Sequence, residues 1–304
     1  MRMDLATPRT EAGHDRHASL CVIGSGSRGN CSILRVPIPG GERLIMIDAG
    51  LSPRRSAALL EGLGLRMDQV DGVIFTHLDC DHFQPAWVQA LPAHARVYVH
   101  RSHRARAEAG GLLYRRAVLF TDAVEVTLSP PEGSRDRPAF AAACVTSAHD
   151  DLGSVAFRFS FAGGGDLGYA TDLGCAGDEL LACLAGVSTL AIESNYCPEL
   201  QRASDRPAFL KRRITGGRGH LSNHESAEAA HRIDPARRLV LLHLSEECNT
   251  PELAAAAHAR MRDRGPIISR QDAPTPWISL EPAAPRPPRV RQTQGSLFDA
   301  ALAR

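Results

Sequence analysis

Aromatic residues are scarce in this sequence, at 5% of the chain with two Trp and four Tyr, and Lys211 is the only lysine among 35 basic residues. With so few aromatics, there is no run of interleaved rings of the kind that stacks the bases of a single strand. An Arg- and Ala-rich chain is what GC-rich coding produces, so the arginine excess itself carries little functional weight. The 35 basic and 34 acidic residues leave a net charge of +1, which excludes a simple polycation coating nucleic acid but allows a local basic patch. No apolar run approaches the length of a membrane span, and the first 17 residues lack the apolar core of a signal peptide. A cytoplasmic protein is therefore expected. The eight Cys contain no CxxC pair, and in that compartment reduced thiols are expected rather than a disulfide framework. A chain that is 43% hydrophobic and 23% charged is neither disordered nor fibrous. Its 304 residues suit two domains or one large one.

Residues 1–17 read as a flexible lead. Apolar runs at 18–23, 31–36 and 43–48 read as an antiparallel meander, and Ser52-Pro53 opens a helix. A buried strand at 71–76 delivers His77-Leu78-Asp79-Cys80-Asp81-His82. A short helix (84–91), a strand (96–100) and a basic helix (101–109) follow. Strand-like runs come next at 117–128, 140–147, 154–161 and 167–171. Helices are predicted at 177–185, 205–214 and 223–233, the last with Ser222 and Glu225 as a capping box. Strands are predicted at 188–193 and 238–242, and Thr250-Pro251 starts a helix to about Arg262. Clustered strands that then alternate with helices suggest an α+β, layered αββα domain over 18–281. Residues 282–293 are a Pro/Arg-rich linker, which leads to the terminal peptide.

The chemistry concentrates in HLDCDH. Imidazoles and carboxylates packed into six residues after a strand suit zinc, iron or manganese. His149, Asp172 and His243 each follow a β-type run. As a set, they are how a scaffold gathers a dinuclear site at one sheet edge. Cys80, amid these ligands, is expected to pack between them. His220 precedes a capped helix start, where free N–H groups favour an anion. It could bind a phosphate there or protonate a leaving oxygen. Ser222, Asn223, Ser25, Ser27 and Asn30 are candidate phosphate donors, and Arg218, with Arg212 and Arg213, a candidate backbone contact.

The order GSGSRGN, LIMIDAG, THLDCDH, His149, TDLG, ESNY, GHLSN, HLS resembles the metallo-β-lactamase fold over about residues 18–270. Within that fold it is most similar to the WalJ/YycJ-type bacterial double-stranded DNA exonucleases. The resemblance implies a four-layer αββα sandwich with two divalent ions per chain (Zn, Mn or Fe). By position, His77, Asp79 and His149 hold the first ion, Asp81, His82 and His243 the second, and Asp172 bridges them. The family pattern is HxHxDH, and here Asp79 stands in place of the second His. A carboxylate there favours manganese or iron over zinc, and the short Asp side chain weakens the first site. The implied activity is phosphodiester hydrolysis of DNA by a hydroxide shared between the ions, as an exonuclease. Three alternatives stay open: hydrolysis of a small phosphodiester, thioester or lactam; a diiron-type oxidoreductase; and a non-catalytic binding module. In the terminal peptide, Gln294-Gly295-Ser296-Leu297-Phe298 resembles the pentapeptide that docks on the bacterial sliding clamp, with Leu297 and Phe298 filling a groove and Gln294 adding hydrogen bonds.

Overall fold

Strands buried on both faces carry nearly continuous apolar runs, and this chain has many. The computed structural model describes residues 17–38, 41–127, 138–259 and 265–283. The expected lead before residue 17 and the terminal peptide with Gln294, Leu297 and Phe298 lie outside them. In chain order the elements are β1 (Ser19–Gly24), β2 (Cys31–Ile38), β3 (Gly41–Ile47), α1 (Pro53–Gly62), β4 (Val70–Ile74), α2 (Trp87–Ala90), β5 (Arg96–His100), α3 (Arg104–Ala109) and β6 (Arg116–Phe120). There follow β7 (Ala123–Thr127), β8 (Pro138–Ser147), β9 (Ser154–Phe161), β10 (Asp166–Ala170), α4 (Asp178–Leu184), β11 (Thr189–Glu193), α5 (Pro198–Ala203), α6 (Ala208–Thr215), α7 (Asn223–Ile233), β12 (Arg238–Leu242), α8 (Pro251–Ala257), β13 (Ile267–Ile268) and β14 (Ile278–Ser279).

The strands form two seven-stranded sheets, β14-β1-β2-β3-β4-β5-β6 and β13-β12-β11-β10-β9-β8-β7. Alternation along each strand sends one set of side chains between the sheets and the other under the helices. On β1, Leu20 and Val22 join the inter-sheet core with Phe157 and Tyr169. Cys21 and Ile23 turn outward to pack with Leu60 of α1 and Trp87 of α2. Leu180 and Leu184 of α4 and Ala229 and Ile233 of α7 cover the second sheet in the same way. This is the four-layer αββα sandwich expected. β1, β2 and β3 form the antiparallel meander, after which β3 to β6 run parallel. β10 to β13 are likewise parallel. Ile278 pairs with Leu20 of β1, and the Leu280 N–H donates to the Ala18 carbonyl, so the chain near residue 280 closes on its first strand.

Three expectations need correcting. The run at 117–128 is two strands in different sheets, because the chain turns at Thr121 and Asp122 and crosses from one layer to the other. The segment 101–109 opens with a 3₁₀ turn at Arg101–His103 before α3. The last predicted helix is the shorter α8, and α5 was not foreseen. Among the described residues, no helix is long and apolar enough to cross a membrane.

Candidate metal centre

Parallel strands in each sheet place their carboxyl ends along one edge of the sandwich, where open sheets collect ligands. Asp48 follows β3, His77 follows β4, Asp172 follows β10, Glu193 ends β11 and His243 follows β12. His149 leaves the end of the antiparallel β8. Asp48, Asp172 and His243 have φ of 61°, 54° and 54°. Such left-handed backbone costs a non-glycine residue about 1 kcal/mol or more, and it persists where the surrounding structure imposes it. Gly50 brings the HLDCDH loop close to the first sheet: a Cβ there would lie 1.7 Å from the Asp81 carbonyl oxygen. The same carbonyl accepts the Asn30 N–H at 2.7 Å.

The donors converge in groups that share Asp172. One ligand atom each from Asp81, His82, Asp172 and His243 lie within 4.8 Å of one another, as do those from His77, His149 and Asp172, and a third group, Glu193 and His220 with Asp172 and His243, adjoins them. The His77 and His82 ring centroids are 4.0 Å apart. His82 donates from Nδ1 to Asp48 Oδ2 at 2.8 Å, which turns Nε2 to 2.9 Å from Asp172 Oδ2. Asp48 in turn accepts from the Thr76 N–H and Oγ1, each at 2.8 Å. His149 donates from Nδ1 to the Gly219 carbonyl at 2.8 Å, leaving Nε2 for the centre. His243 Nδ1 lies 2.8 Å from Asp172 Oδ2, and its Nε2 lies 3.7 Å from Asp81 Oδ2.

Burial and charge oppose one another here. Burial disfavours ionised Asp172, but the His243 and His82 imidazoles override it and hold its carboxyl well below the usual range. Burial likewise works against charge on His82, yet Asp172 and Asp48 raise its pKa well above that of an ordinary imidazole. His77 is driven well below, first by burial and then by His82. Its buried Nε2 has no hydrogen-bond partner. An orphaned imidazole nitrogen near the Asp172 carboxylate, beside rings oriented by carboxylate and carbonyl acceptors, fits divalent metals.

Asp79 lies beside His149, as expected, but is already engaged. Its Oδ1 is bound by Arg106 Nη1 of α3, and it gathers with His149 and Asp150. Cys80 is exposed and does not pack between the ligands. A cleft of about 340 Å³ opens over the centre, lined by Ser27, Asp81, Arg206, Arg213, Ile214 and His220 among others. Ser27 is exposed there as a phosphate donor would be, but Ser25 and Asn30 are buried and serve the scaffold. Ser25 Oγ accepts the His243 N–H and donates to Asn30 Oδ1, and Asn30 Nδ2 lies 3.0 Å from His82 Nε2. Ser222 and Asn223 do not line the cleft. The Ser222 hydroxyl and N–H are taken by the cap with Glu225, and Asn223 Oδ1 accepts from Ser194 and Asn249. Arg218 donates to the Asp150 carbonyl outside the cleft, where Arg206 and Arg213 stand instead. His220 lines the cleft, its Nδ1 2.7 Å from Glu193 Oε1. Burial opposes its charge, but Glu193 and then Asp172 raise its pKa to about 9.

Asp48, Glu193, Thr76 and Arg106 are not individually marked as functional by the sequence. Asp48 and Glu193 lie in the recognised strings LIMIDAG and ESNY, each a lone carboxylate after an apolar strand. That position was the available signal.

A profile of the beta-lactamase superfamily domain matches residues 43–244. The chain is 27% identical over 240 residues to "Exodeoxyribonuclease WalJ" of Streptococcus pneumoniae, covering 77% of this chain and 84% of that protein. It is 27% identical over 237 residues to "Exodeoxyribonuclease YycJ" of Bacillus anthracis, with the same coverage, 77% and 84%. Among solved structures, the metallo-beta-lactamase fold protein YhfI of Bacillus subtilis superposes with a TM-score of 0.58 at 15% identity, over 85% of this chain and 99% of that one. The short form of human tRNase Z gives 0.56 at 14%, over 86% and 99%.

Proposed function

The chain belongs to the beta-lactamase superfamily domain family and is a metal-dependent hydrolase; from that premise we propose that it is a phosphodiesterase acting on DNA in the cytoplasm, an exonuclease. The observation that carries this reading is the pair of donor sets sharing Asp172 at the base of an arginine-lined cleft. The similarity to two exodeoxyribonucleases supports DNA as the substrate.

His77, His149 and Asp172 would hold one divalent ion, and Asp81, His82, His243 and Asp172 the other. Bound ions at such a centre supply Lewis acidity and an activated nucleophile at neutral pH. Asp172 orients both donor sets and keeps its negative charge under the imidazoles around it. Arg206 and Arg213, paired with Glu247 and Asp150, put positive charge at the cleft wall where backbone phosphates would pass. His220, held by Glu193 through Nδ1, has Nε2 left to contact a phosphate or, when protonated, to protonate the leaving oxygen. Apart from what the ions supply, no protein nucleophile is required.

Purified protein given manganese should degrade linear duplex DNA, and Asp172→Ala should abolish that activity. No cleavage with manganese, iron or zinc on duplex, single-stranded or RNA substrates defeats the reading. The peptide Gln294–Phe298, outside the described residues, supports docking on the bacterial sliding clamp. Clamp capture that survives changing Leu297 and Phe298 to Ala dismisses that part.

A further inference from the structure

The donor groups proposed to hold the two ions are unequal. Asp81, His82, Asp172 and His243 bring two carboxylates and two imidazoles together, whereas His77, His149 and Asp172 bring only three donors. The residue expected to complete the second group, Asp79, has its Oδ1 on Arg106 Nη1 and gathers with His149 and Asp150 instead of His77. Asp150 is the other carboxylate at hand, its Oδ2 3.9 Å from His149 Nε2. It is held by Arg213 through both side-chain oxygens, one of them from Nε at 2.9 Å. Arg106 comes from α3 and Arg213 from α6, so two separate elements each deliver a guanidinium to a carboxylate beside the same imidazole. A guanidinium stays charged at any pH the protein meets. His77 Nε2, fully buried, is left without a partner on the three-donor side.

From this arrangement we infer that the ion at the His77–His149 position is the weak, exchangeable one, because the Asp79 carboxylate beside His149 is engaged by Arg106. The four-donor position keeps its ion. Occupancy of the three-donor position then follows the free concentration of the divalent metal, and with it the fraction of protein carrying two ions. This inference rests on the metal-centre reading above and deepens it.

The test is Mn²⁺ binding to the full-length, metal-stripped protein, with free Mn²⁺ read by electron paramagnetic resonance. One tight ion per chain is expected, with a second held about tenfold or more weaker. Asp79→Ala and Asp150→Ala should each leave the second affinity within about threefold. Asp79→His supplies an imidazole that Arg106 does not bind, and it should bring the second ion close to the first in affinity. Arg106→Gln frees the Asp79 carboxylate and should tighten the second ion several-fold. Asp79 is partly exposed, so these variants are expected to fold, and Asp79→Asn provides a second conservative check. Two equally tight ions in the parent protein overturn the inference, as does a loss of about tenfold in second-ion affinity on Asp79→Ala. An unchanged second affinity in Arg106→Gln overturns the role given to Arg106. No Mn²⁺ bound at all instead overturns the metal-centre reading on which the inference rests.

Discussion

Asp48→Asn alters one atom behind the metal centre and preserves the shape of the residue. Asn tolerates the left-handed backbone at φ 61° as well as Asp does, so strain does not confound the experiment. The fully buried carboxylate accepts three hydrogen bonds: the Thr76 N–H on Oδ1, and Thr76 Oγ1 and His82 Nδ1 on Oδ2. An amide cannot replace both oxygens. If its carbonyl faces His82, the NH₂ meets the Thr76 N–H, donor against donor. If its carbonyl faces Thr76, the NH₂ forces the other His82 tautomer, which puts a proton on Nε2, the nitrogen turned toward Asp172 and Asp81. Either outcome strikes a partner that orients a ligand. Such partners are worth about 10–100-fold in metal affinity, or about 1.4–2.7 kcal/mol. Competition with a chromogenic chelator measures the affinity, and the metal-free melting temperature checks that the fold survives. A metal affinity within about twofold of the parent refutes the chain of reasoning from Asp48 through His82 to the metal.

Two further predictions are independent of that pair. His103 is buried, and burial, with the charges of His100 and Arg106 adding to it, holds its ring at about 4. A depressed base loses stability as pH falls from its unfolded value toward its folded one. From pH 7 to pH 5 this residue therefore costs about 2 kcal/mol of unfolding free energy. Urea denaturation of His103→Leu should show that much less dependence on pH over the same interval, and an identical dependence removes the assignment. At the cleft wall, Arg206→Ala and Arg213→Ala should each weaken DNA binding regardless of sequence and reduce the slope of log Kd against log salt by about 1. Unchanged salt slopes would place the DNA path elsewhere.

Much of the fold was legible, because strands buried on both faces print as apolar runs and the capped α7 prints its own boundaries. The 117–128 run misled because apolar residues continue through a chain crossing between sheets, and periodicity does not register which sheet a strand joins. At the site, His77, Asp81 and His82 were legible as a local string, and His149, Asp172 and His243 as polar residues after strands. Their second layer was less so. Asp48 reaches His82 from 34 positions away, and nothing in its neighbours announces that contact. Asp79 was read as a ligand by position, and Arg106 stands 27 residues from it in an unrelated helix. Ser222 and Asn223 show a different limit. The helix start was read correctly, but its donors and acceptors are satisfied within the protein, which only the three-dimensional contacts reveal.

The central claim is that this centre removes nucleotides from DNA ends. The most direct measurement incubates the manganese-loaded protein with one duplex in two forms, linear and covalently closed circular, and follows release of acid-soluble nucleotides. The account predicts progressive release from the linear form, none from the closed circle, and none from either with Asp172→Ala. Equal loss of both forms, or intact linear DNA at saturating metal, contradicts it.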